Sequence, residues 1–116
     1  MIKNSPQSEE SEKAFLGALI NNSKITENTQ LIGSDFYFEK HQTIFRACKE
    51  IQLKNKEYDI ISLTDFLEKN RELVKIGGRT YLTELAQEVC LNPSLQEQTI
   101  KQKSNLRKVL EYGQKL

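Results

Sequence analysis

The sequence predicts an all-α fold, a compact bundle of about six helices. Apolar residues recur at helical spacing through most of the chain, alternating runs rich in Val, Ile and Thr are nearly absent, and cap and turn residues punctuate it at helix-length intervals. The nearest approach to a strand is Tyr58 to Leu63, whose polar flank resumes helical spacing. At 116 residues there is room for one domain of ordinary size.

Ser5-Pro6 places a cap residue before a proline suited to a first helical turn, and Ala14, Phe15, Ala18 and Leu19 then share one face of a first helix. A weaker second helix is expected from Ser23, with Glu27 inside it and Ile32-Gly33 ending it. Ser34-Asp35-Phe36-Tyr37-Phe38 gathers three aromatics after a turn, and Ile44, Phe45, Cys48 and Ile51 mark a third helix over residues 39–54. Lys54-Asn55-Lys56-Glu57 reads as a loop.

Asp59 and Ile60-Ile61 then lead to Ser62, read as the cap of a fourth helix because Ser62-Leu63-Thr64-Asp65 approximates a capping box. Leu63, Phe66 and Leu67 form its buried stripe and Asn70 ends it. Gly77-Gly78 breaks the chain, and Tyr81, Leu82, Leu85 and Val89 follow at helical spacing in a short fifth helix. Asn92-Pro93 supplies a cap and a first-turn proline for a last helix, amphipathic through Leu95, Thr99, Leu106, Val109 and Leu110. One core is expected from Phe15, Phe36, Ile44, Phe45, Leu63, Leu67, Tyr81, Leu82 and Leu85. The chain thus divides into a helical head, residues 1–92, and a terminal helix, residues 93–116.

Composition narrows the function classes. With 37% hydrophobic and 28% charged residues and a mean hydropathy of −0.61, the chain supports a modest core and a surface shared with a partner. Seventeen basic against sixteen acidic residues give a net charge of +1, so no global positive field holds a phosphate backbone. Cys48, Cys90 and His41 are too few for a disulfide framework or a zinc site without carboxylates, and reduced thiols in a cytoplasmic protein are expected. No window approaches the roughly 18 consecutive apolar residues that span a bilayer, and Met1 to Ser11 lacks the pattern of a secretory leader.

No credible catalytic constellation is legible. None of the glycines opens a phosphate-binding loop, and Gly77-Gly78-Arg79-Thr80 reads more simply as a turn between helices than as an anion site. His41, near Asp35, Glu39 and Cys48, reads as a hydrogen-bonding imidazole at a helix start, because no nucleophile with a matching third group falls beside it. Asp59 reads as a cap rather than an acid. No cofactor or metal site is therefore expected in this chain. The last helix carries Lys101, Lys103, Arg107, Lys108 and Lys115 against Glu111, the one local charge asymmetry. Its apolar positions need cover, so Leu106, Val109 and Leu110 with Arg107 and Lys108 form the candidate oligomer or partner interface. Read from residues only, the chain is a helical interaction domain, such as an adaptor or regulator that binds a protein partner.

The order of segments carries a resemblance. Glu12-Lys13-Ala14-Phe15-Leu16-Gly17-Ala18-Leu19-Ile20, then Asp35-Phe36-Tyr37, then His41 with Ile44-Phe45 and Ala47, resembles the opening of the N-terminal domain of DnaB-family replicative DNA helicases. Asp59 with Leu63 and Leu67, Gly77-Gly78 with Tyr81-Leu82 and Leu85, and Leu106-Arg107 continue in the family's order, so the resemblance covers residues 6–113. It implies a helical head followed by a helical hairpin, of which the last helix here is the first half. The parent would be a hexameric ring motor whose separate C-terminal ATPase domain, absent from this chain, uses ATP and Mg and engages DNA. The N-terminal domains would form a collar, a trimer of dimers, with hairpins pairing between subunits and primase docking outside; a helicase loader is a further partner the resemblance admits. The fragment itself would be a weak homodimer, and no membrane partner is implied. Two departures stand out: Gln96-Glu97 replaces an aromatic followed by Ala, and Thr99 an aliphatic residue, so no family contact is carried over to the start of the last helix.

Overall fold

The computed structural model describes residues 5–55 and 57–115. Among them are six α-helices and one 3-10 turn, with no strand: α1 Glu9–Asn21, α2 Ser23–Asn28, the 3-10 turn Gly33–Asp35, α3 Glu39–Asn55, α4 Ile60–Lys69, α5 Gly78–Ala86 and α6 Pro93–Lys115. The segment Tyr58 to Leu63 is the entry to α4, not a strand.

Each boundary has a local cause. α1 begins later than Ser5-Pro6 suggests, because Ser8 is the cap: its hydroxyl accepts from Ser11 N at 3.2 Å, and Glu9, Glu10 and Glu12 fill the first turn where the helix dipole favours acids. Asn22 caps α2 through Lys24 N at 3.1 Å. That helix stops well before Gly33, because Thr29 turns extended and takes Leu31 N onto its own hydroxyl at 3.2 Å. α3 runs one residue past the expected 54 and takes in Asn55 from the segment read as loop; Lys56 of that segment lies outside the described residues.

α4 is capped by Asp59 rather than Ser62. Asp59 Oδ1 accepts from both Ser62 N and Ser62 Oγ at 2.8 Å, so the serine supports the cap from inside the helix. Asn70 ends α4, and Arg71 follows in the left-handed region at φ 60°, with Glu72 N closing onto Leu67 O at 2.8 Å and Arg71 N onto Glu68 O at 3.0 Å. Gly77 and Gly78 hold φ of 107° and 76°, conformations that a side chain resists, and this lets the chain reverse into α5. α5 stops at Ala86, so Val89 lies beyond it, 77% exposed, and not on its buried stripe. Asn21 Nδ2 takes the orphan carbonyl of Ala86 at 2.8 Å.

The core joins the expected Phe15, Phe36, Ile44, Phe45, Leu63, Leu67, Leu82 and Leu85, with Tyr81 half-buried at its edge. It also takes Leu16, Leu19, Ile20, Leu31, Cys48, Ile51, Ile76 and Ile100. Phe36 and Phe45 meet with ring centroids 4.8 Å apart. α1 lies at the centre, in contact with every other helix, which is why nearly all of its circumference from Phe15 to Ile20 is buried.

Candidate functional site

α6 starts where Asn92 Oδ1 accepts from Leu95 N at 3.2 Å and Pro93 pre-sets the first turn. Its 23 residues extend over about 35 Å at 1.5 Å per residue. At 100° per residue, Leu95, Leu106, Val109 and Leu110 fall on one side, and Glu97, Ile100, Ser104, Arg107 and Lys108 on the other. The polar side faces the head. Among the described side chains of α6 only Ile100 and Ser104 are buried. The apolar stripe that defines this helix in the sequence is therefore its outward face, with Leu95, Leu106, Val109 and Leu110 exposed by 52%, 49%, 67% and 43%. No ionisable side chain interrupts that face between Leu95 and Leu110 except Lys103 at its margin.

The polar side is seated turn by turn. Thr29 donates its hydroxyl to Glu97 Oε1 at 2.5 Å, which gives the departure at Gln96-Glu97 its own contact with the head. One helical turn further on, Asp35 on the 3-10 turn receives three groups of α6 at the same oxygen. Ser104 Oγ donates to Oδ1 at 2.7 Å, and Lys101 Nζ and Lys108 Nζ stand at 3.3 and 3.7 Å from it. Asp35 Oδ2 meanwhile accepts from Ile32 N at 2.8 Å and closes its own turn. Arg107 donates to the carbonyls of Pro6 and Asp35 at 2.8 and 2.7 Å, with its guanidinium 5.5 Å from the Tyr37 ring centre. Burial would push the Asp35 carboxyl up, yet the Ile32 N–H, the Ser104 hydroxyl and Lys101 together outweigh it and hold the group below the usual carboxylate value.

The candidate interface residues thus separate. Leu106, Val109 and Leu110 face outward together, whereas Arg107 and Lys108 turn inward, because a buried carboxylate and two free carbonyls on the head offer them charge-assisted bonds. Lys101 and Ser104 join the inner set, and neither they nor Asp35 is singled out by reading for apolar periodicity. The available signal was the spacing Lys101, Ser104, Lys108, a polar stripe opposite the apolar one.

The remaining candidates are structural in their contacts. His41 is completely buried and bridges three helices: Nδ1 lies 2.8 Å from Glu12 Oε1 and Nε2 lies 2.5 Å from the Tyr81 hydroxyl. Glu12, itself 2% exposed, uses its other oxygen to accept from Tyr37 N at 2.8 Å. With Glu12 at Nδ1 and the Tyr81 hydroxyl at Nε2, both ring nitrogens are engaged and neither is left for a substrate. Asp59 is engaged as a cap, and Arg79 reaches across to Glu68 at 3.2 Å. Burial pushes the Cys48 thiol up to about 12. Among the described residues no group of three or more His, Cys, Asp or Glu side chains is placed to hold a metal, and no helix is long and apolar enough to cross a membrane.

Comparison with known proteins gives the family and the fold. A family described as the DnaB-like helicase N terminal domain matches residues 4–102. The replicative DNA helicase DnaB of Geobacillus stearothermophilus is 34% identical over 109 residues, covering 90% of this chain and 24% of that protein. The replicative DNA helicase DnaC of Bacillus subtilis (strain 168) is 32% identical over 109 residues, with the same coverage of 90% and 24%. The chain thus spans about a quarter of the length of these relatives. The crystal structure of the N-terminal domain of DnaB helicase from Mycobacterium tuberculosis superposes with a TM-score of 0.91 at 24% identity, covering 97% of this chain and 83% of that one.

Proposed function

The chain belongs to the DnaB-like helicase N-terminal domain family, and from that premise we propose that it serves DNA replication as the scaffold and protein-interaction domain of a hexameric replicative helicase. In this reading it performs no chemistry. ATP hydrolysis with Mg and the translocation that unwinds duplex DNA belong to the parent's ATPase domain, and this domain builds the collar of the ring and docks primase.

The observation that carries the reading is the outward face of α6. A helix of about 35 Å whose outward face carries Leu95, Leu106, Val109 and Leu110, with the uncharged Gln98, Thr99 and Gln102 between them, is suited to a helical mate. Two identical stripes most simply meet across a twofold axis, each residue facing its counterpart's neighbourhood. α6 is then the first arm of a hairpin that pairs between subunits. The inward turn of Arg107 and Lys108 favours this, since it keeps like charges out of the contact.

Sedimentation equilibrium over a concentration series tests it. The chain is expected to be a weak, concentration-dependent dimer, with Leu110→Glu a monomer of unchanged helicity. A wild-type chain that stays monomeric at every concentration would overturn the self-association, and global unfolding of Leu110→Glu would return the stripe to the internal core. Co-sedimentation with the cognate primase tests the docking separately.

A further inference from the structure

We propose that Asp35 is an electrostatic latch, a carboxylate on the head whose charge seats α6, so that the helix is released from a head that stays folded. The inference concerns the seating of α6 within one chain and stands whether or not the outer face pairs.

Among the described side chains of α6 the only buried apolar one is Ile100, which joins the core where the helix packs along α1. What remains is polar: Glu97 at Thr29, Arg107 on two carbonyls, and the cluster of Lys101, Ser104 and Lys108 around Asp35. Asp35 divides its work between two oxygens. Oδ2 holds the turn that leads into Phe36, a core residue, and Oδ1 addresses α6 only. The head's own structure and the helix seat are thereby carried by different atoms of one side chain.

The pairing is also asymmetric. Asp35 is fully buried, whereas the Lys101 and Lys108 side chains are 44% and 54% exposed. The ammonium groups can move into water at small cost, and water then reaches the carboxylate that the helix had covered. A buried ion pair that opens by rehydrating both partners is balanced near zero, unlike one that leaves a charge stranded in the interior. Salt competes directly for the exposed lysines and so acts on the seat before it acts on the core.

Amide hydrogen exchange on the whole chain tests the latch. Asp35→Asn keeps an oxygen for Ile32 N–H but sets an amide donor where the Ser104 hydroxyl and the two ammonium groups had an acceptor, so it removes the charge and the acceptor toward α6 together. The double variant Lys101→Met/Lys108→Met removes the charge from the other side without touching a buried residue. In both, amides of residues 95–112 are expected to exchange about tenfold faster while those of α1 and α3 change by less than about twofold. Raising NaCl from about 0.05 to about 1 M should accelerate the same amides in the wild type and not in Asp35→Asn. Unchanged exchange in α6 overturns the latch. So does equal acceleration of α1 and α3, which would make Asp35 an ordinary core residue. An effect in only one of the two variants also overturns it, since the seat would then not depend on the charge pair.

Discussion

Gly17 of α1 lies against the backbone carbonyl of Leu85 in α5, with Glu88 Cβ closing the space beside it. A methyl group at position 17 would overlap that oxygen, which belongs to the main chain of α5, so the two helices would have to shift apart. The approach is what brings Asn21 within reach of the Ala86 carbonyl one turn later. Gly17→Ala is therefore expected to destabilise the fold by about 1 to 3 kcal/mol, although alanine is the better helix former by about 1 kcal/mol. Urea unfolding measures it; a variant as stable as the wild type would mean that α1 and α5 can separate freely.

The Glu12, His41 and Tyr81 chain predicts an order of effects. Glu12→Ala removes the acceptor of both His41 Nδ1–H and Tyr37 N–H in a site without solvent, and should cost about 3 kcal/mol or more. Tyr81→Phe removes one hydroxyl at the half-buried end and should cost about 1 kcal/mol. Denaturant midpoints of the two variants decide it. Equal losses would show that Glu12 and Tyr81 are equivalent members of the chain.

Arg71 occupies the left-handed position after α4 that glycine ordinarily takes, its side chain exposed. Arg71→Gly should raise stability by about 0.5 to 1 kcal/mol, the strain relieved less the added freedom of the unfolded chain. The expected readout is a thermal midpoint higher by a few degrees. A lower midpoint would show that the guanidinium contributes more than its backbone strain removes.

Acid should loosen α6 selectively. Because the folded state lowers the Asp35 carboxyl below its ordinary 3.8, the group contributes stability at pH above that value and loses it as pH falls through the folded value. The helix seat is thus level from neutral pH down to about 5 and weakens below about 4. Asp59 shifts in the same direction through its bonds from Ser62, so the comparison that isolates Asp35 is wild type against Asp35→Asn in one acid titration. Parallel exchange profiles for α6 in the two proteins would contradict the assignment.

Much of the architecture was legible because its causes are local. Asn92-Pro93, Gly77-Gly78 and Asn70 mark boundaries that short-range backbone chemistry decides, and they lie where the spacing puts them. The buried positions of α3 and α4 follow from apolar periodicity, since each helix covers one face only. α1 did not read as simply, because a helix contacted all round buries Glu12 and Gly17 along with its leucines. Ser62 looked like a cap because the four-residue pattern cannot tell whether an Asp three positions earlier will take its amide first. The seat of α6 was the hardest to foresee: Ser104, Lys101 and Lys108 acquire their meaning from Asp35, some 70 residues away, and apolar periodicity pointed to the opposite face.

An inside-out terminal helix has a consequence for how its residues tolerate change. Leu95, Leu106, Val109 and Leu110 are exposed and outside the core cluster, so substitutions there should register mainly in mass and partner choice and shift the melting curve little. Those at Ile100, which joins the core, should do the reverse. On the proposed pairing, recognition and folding would be written on separate sides of the same 23 residues, and a library randomised along the outer stripe could be screened for new pairing specificities, or for heterospecific pairs, on an unaltered head.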